Sequence, residues 1–212
     1  MKSYNESCPI ALALDVIGDR WTLLVLRELL VQGPCRYTDL ANGLPGIATS
    51  VLADRLRSLE DAGLIYRESA PPPVATTLFH LTAKGRDVEP ILVTAGRWAV
   101  EHLDGPAPDS EFRIHWLPFA ASFYLRGHEA AGLPLSIQLE TPVGSGVVEA
   151  TVDGVRSRVG TVPAPDLTLT GMPDGIIRLL SGASTPEEAR NEGLTIDGDI
   201  EVLAGFTRDA VS

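Results

Sequence analysis

Apolar residues recur at helical spacing through the first hundred positions of the chain. Leu52, Leu56 and Leu59 share one stripe that runs out at Gly63 into Leu64 and Ile65, so residues 48–62 predict a helix followed by a strand. Upstream, residues 8–17 and 21–31 predict two helices around a break at Gly18 and Asp19. Asp19 is the expected N-cap of the second helix, Leu23, Leu26, Leu29 and Leu30 its buried stripe, and Trp21 its anchor in the core. A turn at Gly33 and Pro34 leads to a short helix over 38–42 with Thr38 as N-cap. Residues 65–82 then give two β-prone runs joined by Pro71, Pro72 and Pro73, a hairpin with a stiff tip. Residues 82–103 form a last helix with Ile91, Leu92, Ala95, Trp98 and Ala99 along one side. So apolar a stripe in so small a domain predicts burial against a second subunit.

From Phe112 the period changes to two. Phe112, Ile114 and Trp116 alternate in a first expected strand, and SIQLE, GVVEATV, VRSRVGTV and DLTLTG continue the pattern, with Asp153-Gly154 as a two-residue hairpin turn. VGSG at 143–146 reads as a strand-connecting turn. Residues 118–127 and 173–182 predict apolar helices, and Thr185 with Glu188 forms a capping box opening another. Ile200, Leu203 and Phe206 sit at helical spacing near the end. The fold class is α+β: a helical domain with a hairpin, then an antiparallel sheet of about five strands with helices over one face. DGPAPDS, residues 104–110, separates them as a linker, giving domains at 1–103 and 111–212.

The chain of 212 residues is 44% hydrophobic, with a mean hydropathy of +0.11, enough for packed cores. The longest dense apolar stretch, residues 21–31, is interrupted by Arg27 and Glu28, so no membrane span or secretion signal is expected and the reading is cytoplasmic. The net charge of −11 is unevenly spread. Residues 1–103 carry ten basic and twelve acidic side chains, net −2; residues 104–212 carry seven and sixteen, net −9. Because charges beyond about 10 Å are largely screened at moderate salt, the acidic second half does not bar the first from nucleic acid. Two cysteines and four scattered histidines give neither a disulfide framework nor a metal spacing, and no cofactor is implied. No nucleophile elbow or phosphate loop appears, so an enzyme is not expected.

The helix over 48–62 carries the candidate chemistry. With the leucines inward, Ser50, Asp54, Arg57 and Asp61 face out with Ala53 beside them. A helix that enters a major groove needs such short polar residues near its start, although a merely solvated face would look alike. Thr49, Ser50, Ala53, Asp54 and Arg57, with Arg36 upstream and Arg67 at the base of the hairpin, are the candidate DNA contacts. Helix, turn, helix and then hairpin is the order of a winged helix-turn-helix.

The motifs Cys8-Pro9, GDRWTLLVL, GPCRYTDL, LPGI, LADRLRSLE and HLTAKG make residues 8–103 resemble the HxlR family of bacterial winged-helix transcription regulators. The resemblance implies a homodimer on an inverted-repeat operator of double-stranded DNA, with the first and last helices of the domain as its interface. Half-sites about 34 Å apart would follow from that symmetry. Ala48 departs from the Ser or Thr often found at the start of the family's recognition helix, which hands the capping role to Thr49. The family includes members that sense oxidants through a cysteine matching Cys8, which makes Cys8 a candidate redox residue.

Residues 164–206 are similar to the sterol carrier protein type two family, and the similarity fades toward Phe112. That resemblance implies a tunnel for a hydrophobic small-molecule effector, lined by Trp116, Phe119, Phe123, Met172, Ile176, Leu180, Leu203 and Phe206. The same side chains would equally fill a solid core. The expected function is a dimeric DNA-binding regulator modulated by such a molecule. The alternative is a lipid or hydrophobic-metabolite carrier whose winged helix serves dimerisation or protein binding.

Overall fold

The computed structural model describes residues 3–69, 71, 76–103, 110–125 and 134–203. The chain forms two compact units, 1–92 and 93–212. Nearly all of the expected linker at 104–110 lies outside the described residues, and the division between the units falls within a helix.

The first unit runs α1 (Pro9–Ile17), α2 (Thr22–Gln32), β1 (Cys35–Arg36), α3 (Tyr37–Gly43), α4 (Thr49–Asp61), β2 (Ile65–Ser69), β3 (Thr77–Leu81) and α5 (Ala83–Arg86), and ends in the first turn of α6 (Glu89–His102). Its core joins Val25, Leu26 and Leu29 of α2 to Leu52, Leu56 and Leu59 of α4 and to Ile65, Phe79 and Leu81 of the hairpin. The hairpin belongs to a three-stranded sheet, in order β1-β3-β2, with Arg67 opposite Phe79. Pro72 and Pro73 of its expected tip lie outside the described residues.

Several local expectations shift. Trp21, rather than Asp19, is the N-cap residue of α2. The Asp19 carbonyl accepts from the Thr22 amide at 3.1 Å, while its carboxylate pairs with Arg55 of α4. The short third helix begins at Tyr37, before Thr38, because the Asp39 carboxylate accepts the Arg36 amide at 2.9 Å and satisfies a donor left open by the helix start. On α2, Leu23 and Leu30 are half-buried, and the inward position between their turns is taken by a charge. Glu28 is fully buried, held by Arg27 at 2.6 and 3.0 Å and by the Gln32 amide at 2.6 Å. A buried carboxylate is tolerated only with such partners.

The second unit contains α7 (Trp116–Ser122), β4 (Leu135–Thr141), β5 (Gly144–Thr151), β6 (Gly154–Val159), β7 (Leu167–Thr170), α8 (Pro173–Leu180), α9 (Pro186–Asn191), β8 (Thr195–Gly198) and a 3-10 turn at Ile200–Leu203. Its sheet has five strands in order β6-β5-β4-β7-β8, but it is mixed, because β4 and β7 run parallel. The strand expected over 112–116 is absent. Trp116 and Leu117 instead hydrogen-bond back to the carbonyls of Arg113 and Ile114, opening α7, where the fixed φ of Pro118 suits a first helical turn. The fifth strand is β8, in a stretch whose four residues gave no alternation. The β5–β6 turn is Val152-Asp153, one residue earlier than expected: Thr151 pairs with Gly154, whose φ of +123° a side chain would strain. The VGSG stretch contributes Val143 to a turn and Gly144, Ser145 and Gly146 to β5. Thr185 and Glu188 do form the capping box, at 2.8 and 3.2 Å.

Candidate nucleic-acid interface

The axis of α4 is fixed at both ends. At its start Ala48 occupies the N-cap with extended backbone and no side-chain cap, so Thr49 is already the first helical residue rather than the cap. The Tyr37 hydroxyl donates to the Thr49 carbonyl at 2.8 Å, tying α3 to the first turn of α4. At its end Lys84 Nζ donates to the Ala62 carbonyl at 2.8 Å and Thr82 Oγ1 to the Gly63 carbonyl at 2.8 Å, while Gly63 adopts φ +70°. A cation and a left-handed glycine at a helix C-terminus satisfy its orphan carbonyls.

With Leu52, Leu56 and Leu59 inward, Thr49, Ser50, Asp54, Arg57 and Asp61 are all exposed, and Ala53 is half-buried beside them. The first two turns thus present a low, polar ridge along which another molecule's edge can approach the helix closely. Two of the three candidate arginines are already engaged. Arg57 Nη1 lies 3.0 Å from Asp54 Oδ1 on the same helix. Arg67, on β2, grips Glu60 of α4 with Nε at 3.0 and 2.8 Å from its two oxygens and Nη2 on Oε2. The hydrogen bond from Arg67 holds the Glu60 carboxyl below its usual value and raises Arg67 in turn. Arg36, exposed at the start of α3, makes no side-chain ion pair among the described residues.

Glu60 and Tyr37 were not legible as site residues. Each acts through a partner on another element, Arg67 of β2 for Glu60 and Thr49 of α4 for Tyr37, and periodicity within one element does not reveal such a pairing.

Cys8 is the N-cap residue of α1, and its thiol lies below the usual value because the amides of Ala11 and Ile10 face it. Cys35 is buried in β1, and burial pushes its thiol up to about 12. In the second unit, Ile176, Leu180 and Leu203 are packed in the core, while Phe119 and Phe123 are buried edge to face at 4.8 Å. Trp116 is half-buried against Phe112. Met172, expected in the lining, is 67% exposed, because it is the extended residue before Pro173 and lies off the inward stripe of α8. Phe206 lies outside the described residues. No described helix is long and apolar enough to cross a membrane.

A groove-compatible helix braced by a preceding helix and flanked by a three-stranded wing defines the first unit as a winged helix-turn-helix. The HxlR-like helix-turn-helix family model matches residues 16–106. The HTH-type transcriptional regulator sll1512 of a Synechocystis strain is 37% identical over 97 residues, covering 46% of this chain and 71% of that one. YvaP of Bacillus subtilis, also an HTH-type transcriptional regulator, is 34% identical over 101 residues, covering 47% and 93%. The reduced form of the B. subtilis regulator YodB is 26% identical with a TM-score of 0.42, covering 48% of this chain and all of that one. The chain belongs to the HxlR-like helix-turn-helix family. It is a DNA-binding transcriptional regulator, and the proteins it resembles are regulators rather than enzymes.

Proposed function

We propose that two copies of this chain bind an inverted-repeat operator in the cytoplasm, each placing α4 in a major groove. Thr49, Ser50, Ala53, Asp54 and Arg57 face the bases, with Arg36 and Arg67 toward the backbone. The observation that carries this reading is the polar, low-profile ridge of α4 over a fully apolar inner stripe, held at both ends by Tyr37 and Lys84. Pairing of copies is supported by exposed apolar residues on the two helices that the family resemblance assigns to a dimer. On α1 these are Ile10 at 70%, Leu12 at 58% and Leu14; on α6 they are Ile91 and Trp98. Genomic DNA fragments selected on the protein, then bound at rising salt, test the reading: enrichment of a two-fold symmetric sequence, with binding that weakens as salt rises, supports it. No enriched sequence, or a monomer in sedimentation at micromolar concentration, counts against it.

The second unit is the proposed sensor, a sterol-carrier-like domain that takes a hydrophobic small molecule near Trp116, Phe119, Phe123, Ile176, Leu180 and Leu203. What supports it is the aliphatic cluster that Leu117 and Ala121 of α7 and Ile176, Leu179 and Leu180 of α8 form over the sheet, with Phe112 packed against it. Such a molecule shifts DNA affinity only as far as it binds two states of the protein differently. Native mass spectrometry of gently purified protein looks for a retained compound. A retained compound in a protein that selects no DNA would favour the carrier alternative. Redox control through Cys8 rests on its lowered thiol at the start of α1; an oxidant response unchanged in Cys8→Ser would remove it.

A further inference from the structure

The DNA-facing elements are unusual in their charge arrangement. Arg57, on the exposed ridge of α4 where it can reach a base edge or a phosphate, and Arg67, on the wing, are each held by a carboxylate of α4 itself. The Asp54–Arg57 pair is widely exposed, at 59% and 65%, so solvent gives it little reason to persist unless geometry favours it. The Glu60–Arg67 pair is forked, with both Glu60 oxygens engaged, and it joins the last turn of the helix to the wing. Asp61 and Glu68 add two more exposed carboxylates to the same elements.

An arginine that moves from an internal carboxylate to a DNA phosphate leaves that carboxylate unpaired beside a polyanion. On a sequence without the right base edges, nothing offsets the repulsion. On the right sequence, Asp54 can accept from a cytosine amino group, and its charge is then satisfied. We infer that Asp54 and Glu60 are specificity determinants that suppress binding to non-operator DNA by holding Arg57 and Arg67 away from phosphate. The inference rests on the proposed docking of α4 and the wing. Its chemistry is the inclusion of a repulsive element against wrong partners, alongside attraction to the right one.

Binding of the intact protein to a random-sequence 30-base-pair duplex tests this across 50 to 200 mM salt. Each arginine freed to take up a phosphate should steepen the slope of log affinity against log salt by about 0.9, which is about threefold more affinity lost over that range. Glu60→Gln and Asp54→Asn are each expected to bind the random duplex several-fold more tightly than the parent at 50 mM salt, with the steeper slope. Asp153→Asn, in the β5–β6 turn, removes the same charge but releases no arginine and serves as the charge control. Melting curves without DNA establish that each variant is folded. Random-duplex affinity and slope that stay at the parent value in both variants overturn the inference. So does weaker binding, which would make the carboxylates supports for phosphate contact, or an equal gain in the control. Failure of the parent to select any genomic sequence is a separate result: it removes the docking reading, and this inference with it.

Discussion

Tyr37 donates its hydroxyl to the carbonyl oxygen of Thr49 at 2.8 Å, and this single bond fastens α3 to the first turn of α4, the helix that presents the exposed polar ridge. Tyr37→Phe keeps the half-buried ring and removes only the bond. A neutral hydrogen bond of this kind contributes about 1 kcal/mol, so the variant should melt a few degrees lower. Operator affinity should fall as well, since the start of α4 loses its brace. Unchanged affinity would show that the first turn is positioned by core packing alone.

Gly43→Ala should be markedly destabilising. A Cβ at this position would lie 2.2 Å from Glu28 Oε2, and that carboxylate is fully buried and held from two sides. Overpacking a buried site costs about 1–3 kcal/mol, and here any shift of Glu28 also weakens the hydrogen bonds that make its burial tolerable. Urea unfolding measures the loss. A stability within error of the parent would mean that the carboxylate moves freely.

The two thiols should separate by pH and by accessibility. Cys8, with its lowered thiol at the start of α1, should react with iodoacetamide at pH 8 well before Cys35, which should react only on unfolding. Simultaneous labelling in the folded protein would contradict the burial of Cys35.

Cys35 also predicts a pH dependence of stability. Its folded value of about 12 lies above the ordinary thiol value of 9.0, so the unfolded chain releases this proton first. Its contribution to stability is therefore complete below pH 9 and declines as pH rises from 9 toward 12, at up to about 1.4 kcal/mol per pH unit. Other groups titrate in the same range, so the measurement is the difference between the parent and Cys35→Ala. Parallel curves would mean that the thiol ionises equally in both states.

Arg57→Ala should weaken operator binding by about 1–3 kcal/mol if the guanidinium reaches a guanine edge. Its partner Asp54 is 59% exposed, so the melting temperature without DNA should hardly move. Unchanged affinity would confine Arg57 to its intrahelical pair.

The leucine period from Leu52 to Leu59 fixed the orientation of α4 before any tertiary contact was known, because burial of one face at 3.6 residues per turn leaves no other side for Ser50, Asp54 and Arg57. The capping box at Thr185 was equally legible, since both of its partners lie within one turn. The sequence did not reveal that residues 112–116 would open a helix instead of a strand. A five-residue alternation has no meaning as a strand without a neighbour to pair with, and here Pro118 and the turn bonds to Arg113 and Ile114 decide the outcome. Nor did it reveal that β7 runs parallel to β4, because strand direction depends on where intervening elements return the chain. The engagement of Arg67 by Glu60 belongs to the same class. Local periodicity determined which faces are buried, which residues are presented and that Asp54 and Arg57 lie one turn apart, while only the assembled fold decided which charges meet between elements, because Arg67 of β2 and Glu60 of α4 are brought together by packing rather than by a fixed interval along the chain.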